Sequence, residues 1–322
     1  EVTQEGQLQF AGVEDHFFTA SALPDGKPLK VTAFAHELPP PEGQTRKSIS
    51  AGIAVGTPGD GPTQLRLYVG PKDSAVLAQA QPELAQLVDY GWFTIIATPL
   101  YRSLRWIHDH IVPNYGWAII LLTLVINLLL LPLKLSSFRS ARKMQAIAPQ
   151  LRAIQDKYKG LKATDPKRQQ MSQETMQLYQ KHGVNPVGGC LPLLVQLPFL
   201  IGFYNVLRNS IEMRQAEWIA PWISDLSIPE QIPIRILPLL MCATQFAMQK
   251  MTPTPGVDPV QQKMMLMMPV MFLFMFWGQS SGLVLYWTVG NLVGIAQQWY
   301  FNRTHQLQEV EAKLAKKAKK GK

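Results

Sequence analysis

LLTLVINLLLLPLKL, residues 121 to 135, surrounds one carboxamide, Asn127, with apolar side chains. Within six residues on either side only Thr123 is polar. An amide in apolar surroundings costs free energy unless it is hydrogen-bonded, so this stretch reads as a helix with one purposeful polar face. Thr123 and Asn127 stand four apart, which puts both on that face. About 20 apolar residues in a helix cross the roughly 30 Å hydrocarbon core of a bilayer. The apolar run here extends from 117 to 133.

Similar runs follow at 190–207, 236–248 and 264–277, with a more broken one from Gly282 to Tyr300. Of 322 residues 47% are apolar and 16% charged, so it is the uneven distribution that matters, and it separates five candidate spans. A large soluble helical core is the competing reading, and the clustering of the runs argues against it. The chain opens on Glu1 with no basic n-region and no small-residue cleavage site, as expected of a fragment or processed form. Cys190 and Cys242 fit neither a disulfide framework nor a zinc site and read as small apolar fillers.

Charge orients the spans. Between Lys134 and Lys181 the basic residues Arg139, Arg142, Lys143, Arg152, Lys157, Lys159, Lys162, Lys167 and Arg168 outweigh Asp156, Asp165 and Glu174. The positive-inside rule makes this loop cytoplasmic, and the tail ending EAKLAKKAKKGK agrees. Residues 209–232 then lie outside, 253–263 inside, and WGQSSG forms a short outer turn. Within the basic loop Met144, Ile147, Leu151 and Ile154 recur at helical spacing up to Gly160, and Asp165-Pro166 opens a second helix that runs to Gly183. A helical hairpin results. The net charge of +9 needs no nucleic acid to explain it, because anionic lipid already suits basic residues beside spans.

The start of the chain differs. LKVTAFAHEL (29–38), KSISAGIAVGTP (47–58) and TQLRLYVGP (63–71) alternate between Pro/Gly turns, which predicts strands, and 72–88 predicts a short helix. Residues 89–112 mix Trp92, Phe93, Tyr101 and Trp106 with Arg102, Arg105 and His108-Asp109-His110, a pattern for a helix lying in the headgroup region. With no further ligands nearby, the two histidines read as surface residues, not a metal site.

Polar groups at membrane depth face a bundle interior or a wet cavity. Besides Thr123 and Asn127, Gln196 stands in LPLLVQLPFL and Gln245 shares a face with Gln249. Trp287, Asn291, Gly294 and Gln298 form one stripe. Helix-to-helix hydrogen bonding explains any one of these. Several uncharged polar groups from different spans favour a shared hydrated cavity lined by Thr123, Asn127, Gln196, Gln245, Trp287 and Asn291. The run MMLMMPVMFLFMFW (264–277) suits varied apolar partners. GQSSG (278–282) matches the G-x-S-x-G nucleophile pattern, but no span supplies a histidine to activate Ser280. There is no P-loop, H-E-x-x-H or intramembrane carboxylate pair. No catalytic residue, metal or cofactor is expected.

Five features in order, VDYGW (88–92), the basic hairpin, VNPVGGCLPLLVQLPF (184–199), DPVQQKMM (258–265) and SGLVLYWTVGN (281–291), resemble the YidC-type membrane protein insertases of bacteria, which have relatives in mitochondria and chloroplasts. The resemblance implies an α-helical membrane protein of the bacterial inner membrane. It has a five-span insertase core with a cytoplasmic helical hairpin, preceded by the C-terminal part of a β-sandwich periplasmic domain. The layout is then 1–88 periplasmic, 89–112 interfacial, 113–136 first span, 137–184 hairpin, 185–208 second span, 209–232 outer loop, 233–252 third span, 253–263 inner loop, 264–300 fourth and fifth spans, and 301–322 cytoplasmic tail. It also implies a hydrophilic groove open to cytoplasm and lipid but closed to the outside, which takes the polar segment of a nascent membrane protein without ATP hydrolysis. Thr123 and Trp287 match positions that contact substrate or govern activity, and Gln196 matches a groove-lining position. Asn127 departs from the pattern, since many members place an arginine there. Implied partners are nascent membrane proteins, a Sec-type translocon, anionic lipids, and a ribosome met by the hairpin and by Lys313, Lys316, Lys317, Lys319 and Lys320. A small-solute transporter or channel using the same cavity is the alternative from another class.

Overall fold

The computed structural model describes residues 2–38, 48–58, 64–158, 165–183, 191–251 and 259–320; for 36–38, 48–50, 168, 191–193, 259–262 and 305–320 only the backbone is described. Gly160 and Cys190, and the hairpin loop holding Lys159 and Lys162, lie outside these residues. The chain divides into two units, Glu1–Thr94 with Arg208–Glu212, and Ile95–Leu207 with Met213–Lys322.

In the first unit six strands form two antiparallel sheets of order β1-β4-β5 and β2-β3-β6. They are β1 (Val2–Gly6), β2 (Ala11–Glu14), β3 (Phe18–Pro24), β4 (Leu29–Leu38), β5 (Ser48–Gly56) and β6 (Leu65–Pro71). The three alternating segments of the sequence are β4, β5 and β6. The strands β1 and β2 carry weaker signals because they are short, 5 and 4 residues. Leu23, Leu77 and Leu84 are fully enclosed and make the core, with Tyr68 and Phe10 packed against them. The helix expected over 72–88 is two pieces. α1 (Ser74–Ala80) is capped by Asp73, whose Oδ1 accepts from Ala75 N at 2.7 Å and Val76 N at 3.2 Å. Pro82 forces Gln81 into an extended conformation (φ −162°) and ends it, and a 3₁₀ turn follows over Pro82–Leu87.

The second unit is helical. α2 (Thr94–His110) buries Leu100, Leu104 and Ile107 and leaves Trp106 exposed. His108 stacks on Tyr115 at 3.9 Å and His110 on Trp106. The hydrogen bond from His108 holds the Asp109 carboxyl below the usual carboxylate range.

The quoted apolar run does not form one straight helix. α3 (Tyr115–Leu129) ends, the axis bends by 58°, and α4 (Leu131–Ala146) carries on into the basic segment. Pro132 lacks the N–H that would bond to Leu128, and its ring crowds the carbonyl there. Leu130 therefore closes α3 through Ile126 O and opens α4 by accepting from Lys134 N at 3.1 Å. The first hairpin helix, expected to run through Met144, Ile147, Leu151 and Ile154, is broken at Ile147: α4 holds Met144 and ends at Ala146, and α5 (Ala148–Lys157) starts with Pro149 in its first turn, where a proline is tolerated. α6 (Lys167–Lys181) is the second. Asp165 caps α6 through Lys167 N, and Gly183 (φ +58°) follows its end. Lys157 and Tyr158 both bond to Glu174 across the pair. This lowers the carboxyl's pKa and raises that of the ammonium.

α7 (Leu191–Asn209), α8 (Ile236–Met251), α9 (Pro259–Phe276) and α10 (Ser281–Lys320) complete the unit. α9 begins inside the segment expected as a loop over 253–263, since Pro259 is suited to a first turn. α10 runs as one helix of 40 residues through the expected tail boundary at 301. Among the described residues no single helix is long and apolar enough to cross a membrane alone, whereas α3 and α4 pass together despite the bend. The 16 residues of α8, for instance, rise only about 24 Å.

α10 lies between α3 and α8, with α9 behind α8. Gly294 allows a close approach, because a Cβ there would sit 2.9 Å from Met248 Sδ. The burial pattern is inverted relative to a water-soluble bundle. Thr123, Asn127, Thr244, Thr288, Asn291 and Gln298 are buried, whereas Leu129 (72% exposed), Met264 (68%), Met267 (62%) and Phe274 (77%) are not. Apolar exposure on this scale marks a surface that meets something other than water.

Candidate functional site

At one end of the bundle the loop 213–235 packs over the starts of α3, α8 and α10. Met213, Ile223 and Leu226 are fully buried beneath it. Asn114 caps α3 through Trp117 N and donates Nδ2 to the carbonyls of Glu217 and Trp218. Gly116 leaves room for the Trp218 indole, which a Cβ would meet at 2.2 Å. At the α10 start, Ser281 N donates to Ile228 O and Gly282 N to Leu226 O, both near 2.9 Å. Ser280 belongs to this cap: its carbonyl accepts from Leu283 N and Val284 N. Glu230, 4% exposed, accepts from Ile236 N at 3.1 Å, Leu237 N at 2.8 Å and the Trp222 indole N–H. It thereby satisfies orphan donors at the start of α8.

Beyond this loop the predicted polar residues fall into two groups. Gln196 of α7, Gln245 of α8, and Trp287 and Asn291 of α10 line one cavity of about 50 Å³, with Leu197, Leu200 and Met248. Trp287 Nε1 donates to Gln245 Oε1 at 3.2 Å, while its ring packs on Phe272 and Phe276 of α9. Asn291 Nδ2 reaches Thr244 Oγ1 at 3.3 Å, and the Tyr286 hydroxyl is bonded to Gln196. That volume admits a few waters. A polypeptide segment enters only if the helices part.

Thr123 and Asn127 do not line this cavity. They are 0% and 3% exposed. Thr123 Oγ1 donates to Ile119 O at 2.7 Å and Asn127 Nδ2 to Thr123 O at 2.8 Å, so both satisfy themselves along their own helix. Gln297 of α10 donates to Asn127 O at 3.3 Å, and Lys134 Nζ donates to Asn127 Oδ1 at 2.5 Å. In the sequence Lys134 only bounds the basic segment 134–181. Its spacing of seven from Asn127 is two helical turns, and that was the available signal.

Further along the bundle a second cavity, about 250 Å³, is lined by Phe138, Ala141, Arg142 and Gln145 of α4, Lys250 and Met251 of α8, and Gln298 and Asn302 of α10. Arg142 donates to Asn302 O at 3.1 Å and lies over the Phe301 ring. Gln298 donates to Met251 O at 2.7 Å. Trp287, Asn291, Gln298 and Asn302 are thus one face of α10 running from the smaller cavity to the larger. The side chains of Lys313, Lys316, Lys317, Lys319 and Lys320 lie outside the described residues.

Residues 106–309 match the family model described as "60Kd inner membrane protein", and residues 1–103 match "YidC periplasmic domain". The chain is 42% identical over 305 residues to "Membrane protein insertase YidC" of Aromatoleum aromaticum, an alignment covering 93% of this chain and 52% of the relative. Against proteins of the same name it is 46% identical in Cupriavidus metallidurans (75% and 41% covered) and 48% identical in Thioalkalivibrio sulfidiphilus (74% and 41%). The chain spans about half the length of these curated relatives. The crystal structure "Active YidC insertase crystal structure with the first transmembrane domain resolved" superposes with a TM-score of 0.55 at 24% identity. That match covers 90% of this chain and 64% of the other, and it supports the fold.

Proposed function

Since the chain belongs to the YidC-type 60 kDa inner membrane protein family, we propose that it carries the core with which a bacterial insertase integrates nascent proteins into the inner membrane. The carrying observation is the inverted bundle: apolar faces outside, and a strip of amides and hydroxyls inside that leads from the small cavity to the basic end. Five crossings are read as α3 with the first turn of α4, then α7, α8, α9 and the first half of α10. The strand-rich unit lies in the periplasm and the α5–α6 hairpin in the cytoplasm, by the positive-inside rule.

In this reading a nascent chain meets the hairpin first. Its polar segment then displaces water between α7, α8 and α10, where carboxamides lower the desolvation cost of moving polar groups partway across. Its apolar segment leaves along the exposed methionine and leucine faces of α9 and α3, and its burial in lipid supplies the drive. The loop 213–235 blocks passage to the outside. A Sec-type translocon, anionic lipids and a ribosome at the basic tail are the further partners of this reading. No relative reported above is named a transporter.

Reconstitution of the complete protein into liposomes with a single-span substrate tests this. Insertion without nucleotide is expected, and Ser280→Ala leaves it unchanged because that residue serves the α10 cap through its backbone. Solute flux without insertion contradicts the reading.

A further inference from the structure

We propose that Arg235, Trp277 and Glu230 build a phospholipid headgroup site on the outer face of the bundle, one that takes a zwitterionic headgroup of the phosphoethanolamine type from the outer leaflet. The site rests on the reading above that puts the start of α8 and the end of α9 at the outer membrane surface. With Pro229, Gln231 and Pro233 of the loop, these residues line a cavity of about 580 Å³, larger than the two cavities between the helices at about 50 and 250 Å³. Its size is that of a small-molecule pocket.

The lining holds two opposite charges apart. Arg235 and Glu230 share the cavity, yet among the described residues neither makes an ion pair. Glu230 accepts from Ile236 N and Leu237 N, and Pro238 has no N–H, so the α8 terminus offers an anion no donor over its first three positions. Anion binding therefore falls to Arg235. Its Nη1 donates to Trp277 O and its guanidinium lies 5.6 Å from the centroid of the Trp277 ring. A guanidinium has five N–H donors, and those that Trp277 does not use suit phosphate oxygens. Glu230 sets the sign of the opposite wall. Three donors leave a carboxylate, with about four acceptor sites, room for one more. A headgroup carrying both phosphate and primary ammonium matches both charges. Phosphoglycerol matches Arg235 alone, and a quaternary ammonium has no N–H for Glu230. Ile234, Ile236, Leu239 and Leu240 at the start of α8, and Phe274 before Trp277, are exposed and lead away from the cavity as a surface for acyl chains. An indole at this level belongs to the aromatic belt of the headgroup region.

The competing role for Arg235 is a strut that ties the start of α8 to the turn after α9. R235Q keeps a donor for Trp277 O and removes the cation, whereas R235K keeps the cation. The complete protein is placed in nanodiscs of equal parts phosphatidylethanolamine, phosphatidylglycerol and phosphatidylcholine, and the lipids it retains on release are counted by native mass spectrometry. Phosphatidylethanolamine is expected to be retained over both others. R235Q should lower that retention about tenfold, the scale of one charge-assisted hydrogen bond, and R235K should keep most of it. Glu230→Gln should remove the preference over phosphatidylglycerol. Retention of the three lipids in the proportions supplied overturns the site, as does R235Q retention equal to that of the unaltered protein or an unchanged preference in E230Q. Equal loss in R235K and R235Q assigns Arg235 to the strut and overturns it too. Insertion by the same preparations reads out separately: retention without insertion overturns the function proposed above and leaves the site, whereas insertion without retention overturns the site alone.

Discussion

Replacing Glu230 with alanine is expected to cost about 3 kcal/mol of stability and to loosen the loop 213–235, because each buried donor left unpaired costs about 1–3 kcal/mol. Its carboxylate satisfies Ile236 N and Leu237 N at the start of α8 and the Trp222 indole, in a site that is 4% exposed. Alanine leaves all three donors without that acceptor and opens a void under the loop. Glu230→Gln keeps one acceptor and turns an amide N–H₂ toward the donors, so a smaller loss follows. Thermal unfolding of the detergent-solubilised protein measures both. An alanine variant as stable as the unaltered protein would mean that the loop rests on Met213, Ile223 and Leu226 alone.

The largest functional loss is expected from converting the small cavity to a dry one. Gln245→Leu with Asn291→Leu removes the partner of Trp287 Nε1 and the bond to Thr244 Oγ1. The Trp287 N–H left without its acceptor costs about 1–3 kcal/mol of stability. Insertion of substrates with polar translocated flanks should fall about tenfold, since the flank loses its wet path and meets a hydrocarbon barrier. A variant that is still folded at the assay temperature but inserts poorly separates the site's function from the fold. Equal insertion by the variant would make these amides mere helix-to-helix glue.

Much of this architecture is written in local pattern. β4, β5 and β6 follow from alternation between turn residues. The hairpin helix α6 follows from Asp165-Pro166 at one end and Gly183 at the other, because caps are encoded within a few residues. The bend at Leu130 was equally local, but an apolar run hides it: Pro132 is tolerated in hydrophobic helices, and periodicity does not say on which side of it the helix breaks. The site was legible by face and not by neighbour. A stripe such as Trp287, Asn291, Gln298 identifies one side of α10, yet which helix it meets depends on packing. Gln196 and Gln245 meet it around one cavity, whereas Thr123 bonds back along its own helix and the Asn127 amide meets Lys134. Lys134 stands at the end of a span, where a lysine ordinarily snorkels to the surface, and only the bend brings it back to Asn127.

The central claim is that polar and apolar parts of a nascent chain take different paths through this bundle. Photo-crosslinkers placed singly at Gln196 and Gln245 inside the cavity, and at Leu129 and Met267 on the exposed apolar faces, test it against a stalled single-span substrate. The account predicts that the polar flank crosslinks to the cavity positions while the apolar segment crosslinks to Leu129 and Met267. A polar flank that crosslinks to the exposed faces and never to Gln196 or Gln245 would contradict it.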